Sequence, residues 1–184
     1  MQHNIIVHNE PRVIDIKPAT YNDIGALIVL NSKWQLANLN GNVEQGFVGA
    51  AFNADFYRTL IDRNEVIVAY DKNVLAAYML TVNHTNVGLL SLHQEQAQLL
   101  KQNGTIVANA SVAVGIQTAV EIKYHGTGLI SIVRNEFKDY VRDRFQYFFT
   151  TISKSNQRSF ASAIKFGWQF VGENEAYHFL ILVV

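Results

Sequence analysis

Apolar and polar residues alternate through VIDIKPAT (13–20), the signature of a half-buried strand. Thr20 and Asp23 stand at capping-box spacing. Ile24, Leu27, Ile28 and Trp34 then mark one face of a helix. Residues 38–52 hold three glycines and predict a loop with short helical pieces. NADFYRTLIDRN (53–64) opens on a capping Asn53 and places Phe56 and Leu60 one turn apart, a second helix. EVIVAY (65–70) and VLAAYMLTV (74–82) flank DKN, which predicts an antiparallel hairpin. SLHQEQAQLLKQNG (91–104) is a helix ended by Gly104, and ANASVAVGIQTAVEIKY (108–124) is long and extended. Leu129, Val133, Phe137, Val141 and Phe145 recur every fourth residue, with charged residues on the other faces, and mark the strongest helix in the chain. YFFTTI (147–152) predicts a buried strand, NQRSFASAIKFG (156–167) a short helix stopped by Gly167, and WQFVG and YHFLILVV two closing strands. This order implies an α/β (α+β) domain with one mixed sheet, spanning 1–184, with residues 1–12 as an N-terminal extension.

Composition narrows the function more than the fold. The chain has 184 residues, of which 49% are hydrophobic and 16% charged, a globular balance. Fifteen basic and fifteen acidic side chains cancel, so the electrostatic footprint of a nucleic-acid binder is missing. With no cysteine there is no disulfide, thiolate metal site or cysteine nucleophile. The six histidines show no ligand spacing, so no metal is expected. No apolar run nears the ~20 residues of a membrane span, and MQHNIIVHNEPR lacks the layout of a secretory signal. A soluble cytoplasmic protein is the expectation.

The stretch AVEIKYHGTGLISIVRNEF (119–137) carries the chemistry. Gly126 and Gly128 sit between an extended run and a helix starting near Thr127. A helix N-terminus offers unpaired N–H groups and the positive end of a dipole, and glycines let an anion approach the backbone. The pattern is compatible with a phosphate cradle or with a plain strand-to-helix turn. A Walker loop is excluded by spacing, and Ser131 stands where a dinucleotide fingerprint needs its third glycine.

Lys123-Tyr124-His125-Gly126-Thr127-Gly128 resembles the Q/R-x-x-G-x-G/A acyl-CoA loop of the GCN5-related N-acetyltransferases. NQRSFASAIKFGWQFVG resembles that family's later N-x-x-A/S segment, with Asn156, Ser159, Gly167 and Trp168 at the matching positions. DIKPATYNDIGAL is similar to its opening strand and helix, and VIVAYDKNVLAAYML to its second and third strands. The resemblance implies a mixed, mostly antiparallel, V-shaped sheet flanked by helices. Its fourth strand, about 113–122, would splay from its fifth, about 147–152, with the pantetheine arm of acetyl-CoA in the gap. Val120, Ile122, Lys123, Tyr124, His125, Gly126, Thr127, Gly128, Leu129, Asn156 and Ser159 are the implied cofactor-binding residues. The implied reaction is transfer of the acetyl group to the amine of a small molecule or peptide.

Three positions depart from the family pattern. Lys123 replaces Gln or Arg, His125 replaces a common Arg, and Ala163 stands where a tyrosine often protonates the departing thiolate. Glu121 is the candidate base and Tyr147 the candidate acid, with His84 a further residue that could face the substrate. Ala163 leaves a second reading open, a catalytically silent acyl-CoA-binding or regulatory module on the same fold. GFVGAAF (46–52) would form a groove wall or a homodimer contact, and the insertion 82–110 carries no motif.

Overall fold

The computed structural model describes residues 1–40, 43–44, 46–83 and 91–184, apart from the side chains of Ser91, Leu92 and Ile116. His84 therefore lies outside the described residues. In chain order the elements are β1 (Gln2–Val7), β2 (Glu10–Pro18), α1 (Ile24–Lys33), α2 (Ala54–Asp62), β3 (Val66–Asp71), β4 (Val74–Asn83), α3 (Ser91–Gln102), β5 (Val112–Val120), α4 (Leu129–Val141), β6 (Tyr147–Ser153), α5 (Gln157–Phe166), β7 (Gln169–Glu173) and β8 (Tyr177–Val183). Two compact units divide them. One comprises Met1–Asn42, Phe47–Leu80 and Gln117–Asp139; the other comprises Val43–Gly46, Thr81–Ile116 and Tyr140–Val184.

In the first unit β1, β2, β3 and β4 pair antiparallel in that order. The expected extension folds as strand β1, joined to β2 through His8 and Asn9, both at positive φ (50° and 66°). Two such residues make the mirror-image turn whose twist suits a tight hairpin. The hairpin at DKN forms as expected, with Asp71 opposite Val74. Thr20 N–H donates to the Asp23 carboxylate at 2.7 Å, so the capping signal was real, but a 3₁₀ turn (Tyr21–Asp23) precedes α1. The buried face of α1 is also rotated from expectation. Leu30 and Asn31 point inward with Ile24 and Leu27, while Ile28 is exposed. In α2 the fully buried pair is Tyr57 and Leu60, and Phe56 instead stacks on Phe52 at 4.0 Å between ring centroids. Leu129, Val133 and Phe137 on α4 are fully buried, as their spacing requires. Each such side chain contributes about 1.5–3 kcal/mol of apolar burial.

In the second unit the N-terminal half of β5 runs parallel to β6, β6 antiparallel to β8, and β8 antiparallel to β7. Helix α3, which lies in the insertion, packs Ala97 and Leu100 into a cluster with Ile106, Val112, Val114, Phe149, Phe179 and Ile181. Trp168 lies against Phe148. Gly167 ends α5 in the left-handed region at φ 102°, where a side chain is strained. The mixed, mostly antiparallel arrangement with flanking helices is the expected fold class. Among the described residues no helix is long and apolar enough to cross a membrane.

Candidate functional site

The glycine loop belongs to the first unit. After β5 the chain makes a short 3₁₀ turn (Ile122–Tyr124), and His125 returns to extended backbone. Gly126 and Gly128 then take positive φ values of 77° and 82°. A Cβ at either glycine would meet nothing within 4 Å, so both are required by backbone conformation and open onto free space. The N–H of Tyr124, His125 and Thr127 turn inward to the carbonyls of Glu121, Ile122 and Tyr124. Among the described residues, no protein group accepts the N–H of Gly126, Gly128 or Ile130. Two exposed glycines with undonated N–H groups at the start of a thirteen-residue helix can receive an anion.

The side chains of the loop mostly anchor it. Tyr124 is buried and donates its hydroxyl to Asp71 at 2.9 Å; burial first, and then this hydrogen bond, raise the phenol's pKa. Lys123 lies over the Tyr124 ring at 4.6 Å and 4.0 Å from the same carboxylate, with its side chain partly exposed. His125 stacks on Trp34, ring centroids 5.2 Å apart, and its Nε2 is 3.2 Å from the Val120 carbonyl. Thr127 donates its hydroxyl to the Tyr124 carbonyl at 2.7 Å, and Leu129 is fully buried. The exposed face of the loop is thus backbone plus the Ile122 and Lys123 side chains. Glu121 meets Lys33 at 2.6 Å, and its other oxygen accepts from Ile122 N–H at 3.2 Å. Its own N–H donates to the Ala76 carbonyl, fixing the end of β5 beside β4.

Deeper in the first unit lies a polar network that the sequence reading did not identify. Gln117 on β5 accepts from Asn31 at 2.8 Å and from the Tyr78 hydroxyl at 2.6 Å, and donates to the Ala50 carbonyl at 3.2 Å. Asn31 is itself held by Gln35 at 2.7 Å. Burial raises the phenol pKa of both Tyr78 and Tyr57, the latter to about 12. These groups join α1, β4, β5 and the segment before α2. The visible signal was Asn31, a polar residue standing where the helical stripe should be apolar.

In the second unit Asn156 is buried and its side chain accepts from Ser159 N–H at 3.3 Å, the helix-capping role its residue type suits. Ser159 is half-buried one turn into α5, and Ala163 is buried on the same helix. Tyr147 opens β6 and packs against the α3 cluster. The paired residues of β5 and β6 are Val112–Val114 with Tyr147–Phe149. One residue further, the Gly115 carbonyl accepts from the Thr150 hydroxyl at 2.7 Å. Thr151 meets His93 Nε2 at 2.9 Å, and the imidazole also packs edge-on to Phe149. Burial lowers the pKa of His93. Among the described residues no group of three or more His, Asp and Glu side chains could hold a metal ion.

No family model matches the sequence, and no curated protein does. Solved structures do match. A GNAT-family acetyltransferase from Listeria monocytogenes is similar at TM-score 0.72 and 12% identity, covering 99% of this chain and 100% of that one. Arabidopsis thaliana Naa50 in complex with the bisubstrate analogue CoA-Ac-MVNAL is similar at TM-score 0.64 and 12% identity, over 93% of this chain and 99% of its own. Salmonella typhimurium yncA, with its cofactor acetyl-CoA, is similar at TM-score 0.61 and 14% identity, over 92% and 93%. At such identities the likeness speaks for architecture, and the chain has the fold of the GCN5-related N-acetyltransferases.

Proposed function

We propose that this protein is an acetyl-CoA-dependent N-acetyltransferase acting on the amine of a small molecule or peptide. The observation that carries the reading is the Gly126–Gly128 loop, with its undonated N–H groups at the start of α4. Neighbours of the same fold that hold acetyl-CoA or a CoA conjugate support it. The backbone N–H groups of Gly126, Gly128 and Ile130 would take the pyrophosphate, with Lys123 adding positive charge beside it. Val120 and Ile122 are assigned to the pantetheine arm by the resemblance alone, since the Ile122 N–H and carbonyl are bonded within the turn and the Val120 carbonyl meets His125. Tyr124, His125, Thr127 and Leu129 hold the loop in shape from beneath. Asn156 and Ser159 are assigned to the cofactor by their match to the family segment alone.

In the reaction the amine nitrogen attacks the thioester carbonyl, a backbone N–H steadies the oxyanion, and the C–S bond breaks to release the thiolate. A base must take the amine's proton. Glu121, the candidate from sequence, is engaged by Lys33 and Ile122, and Tyr147 sits against apolar residues. Isothermal titration with acetyl-CoA tests the proposal, with micromolar binding expected. Absence of binding at hundreds of micromolar ends it. Gly126→Glu, which puts a side chain at φ 77° and a negative charge into the cradle, is expected to abolish that binding in a protein that still folds.

Ala163 favours a second reading, an acyl-CoA-binding module without turnover. Thiol release measured against polyamines, arylalkylamines, aminoglycosides and peptides with free N-termini separates the two. Turnover of any one of them eliminates the silent module.

A further inference from the structure

We infer that His93 and Thr151 form a proton-accepting pair, in which the Thr151 hydroxyl meets the acceptor amine and passes its proton to His93 Nε2. The inference rests on the acetyl-transfer reading and adds to it the base that reading lacks. Two features of the second unit bear on this pair. The Thr151 hydroxyl and His93 Nε2 are in direct hydrogen-bond contact at 2.9 Å. Thr151 lies on β6 just past Phe149, the last residue in register with β5. There the Gly115 carbonyl takes a side-chain hydroxyl from Thr150. β6 is the strand that borders the gap in which the resemblance places the pantetheine arm, and we set the thioester at this end of it. His93 itself comes from α3, in the segment for which the sequence offered no purpose.

The surroundings suit a base. His93 is half-buried against the Phe149 ring, and burial lowers its pKa, which favours the neutral imidazole that can accept a proton. Among the described residues, the cluster packed under α3 contains no charged side chain. β5 presents Val112 and Val114 there, β6 Phe149 with Tyr147, and β8 Phe179 and Ile181 with Tyr177. On its own helix Glu95 is exposed, and Lys101 turns away to donate to the Ala110 carbonyl at 2.8 Å. The step balances without a further reactant. As the C–N bond forms, the amine N–H proton moves to Thr151 Oγ1 while the hydroxyl proton moves to Nε2. The C–S bond pair leaves on the thiolate, and the imidazolium later returns the proton to solvent.

A purely structural role would make the contact a tether between α3 and β6, and the test separates the two. Histidine imidazole resonances of the full chain are recorded with and without saturating acetyl-CoA, over a pH range. The expected result is that His125, beneath the glycine loop, and His93 both respond, and that Thr151→Val alters the His93 titration. A response at His125 with none at His93 overturns the pair while leaving the acetyltransferase reading intact. No response at either overturns both. With any amine found to turn over, His93→Gln, which keeps a hydrogen-bonding side chain, is expected to lower kcat about a hundredfold or more. It should do so with acetyl-CoA affinity unchanged and with the acidic limb of the kcat–pH profile gone. Thr151→Ser is expected to keep turnover and Thr151→Val to lose it. An unchanged limb in His93→Gln would refute the pair even if the rate fell.

Discussion

Replacing Gln117 by Leu should destabilise the protein more than the loss of one exposed amide would suggest. Leucine fills nearly the same space on β5 but can neither accept from Asn31 and Tyr78 nor donate to the Ala50 carbonyl. The Asn31 amide nitrogen keeps two other acceptors, Ala50 at 3.1 Å and the Tyr78 oxygen at 3.3 Å, and its oxygen keeps Gln35 at 2.7 Å, so it is only partly orphaned. The Tyr78 hydroxyl, on a fully buried residue, loses the Gln117 oxygen as its acceptor. A buried donor left unsatisfied costs about 1–3 kcal/mol, so with the weakened Asn31 and Ala50 contacts the loss should be about 2–4 kcal/mol. Urea unfolding followed by circular dichroism measures it, and the midpoint should fall with the slope unchanged. Tyr78→Phe on the Gln117→Leu background should then cost little, because the orphaned hydroxyl is gone. A double-mutant cycle should give a coupling of about 1 kcal/mol or more. A loss below about 0.5 kcal/mol, or additive single changes, would refute the view that these groups form one closed network.

Stability should fall in mild acid on account of His93. Its folded-state pKa is lowered by burial, so its contribution is complete above the unfolded value of about 6.5 and is lost as the pH falls through that value toward the folded one. His93→Gln should flatten the urea midpoint across that window, and an unchanged slope would show that another group titrates there. Gly167→Ala forces a side chain into the left-handed region at φ 102° and should cost about 1–2 kcal/mol by thermal unfolding, with no effect on acetyl-CoA binding. Glu121→Gln breaks an ion pair whose lysine is half exposed, so its stability effect should stay under about 1 kcal/mol. Its turnover should stay within about threefold of wild type, whereas a base at Glu121 would cost about a hundredfold or more.

The sequence pattern was most legible where one physical demand acted alone. Leu129, Val133 and Phe137 are spaced for one helical face, and nothing but packing acts on them. In α1 two demands compete. Asn31 points inward because the Gln117 network needs it, which turns Ile28 outward, and an apolar-only count misplaces the stripe. Strand β1 was passed over although His8 and Asn9 form a two-residue turn, because neither is glycine and the positive φ values had to be seen. The glycine loop could be located from spacing, but not its economy. His125 and Tyr124 turn out to be supports bonded beneath the backbone, and the exposed surface is largely main chain. His93 and Thr151 lie 58 residues apart in a chain that gives neither a motif, and only the packing of α3 on β6 makes them neighbours.

Ala163 and the His93–Thr151 pair together set the expected shape of the reaction's pH profile. An acid that must protonate the thiolate adds a descending limb on the alkaline side, near pH 10 if it is an ordinary phenol. Ala163 cannot supply one. A thiolate with a pKa in the range of about 8.5 leaves without help near neutral pH, so the step does not demand it. Under this reading kcat rises once, on the acid side, as His93 loses its proton, and then stays level as far as the protein remains folded. The measurement is kcat under saturating acetyl-CoA and amine from pH 5 to 10, with the stability of the fold followed in parallel. A descending limb that disappears in Tyr147→Phe would return the acid to Tyr147 despite its apolar setting among the α3 cluster. It would also mean that thiolate departure, and not proton removal from the amine, is the step the protein has to assist.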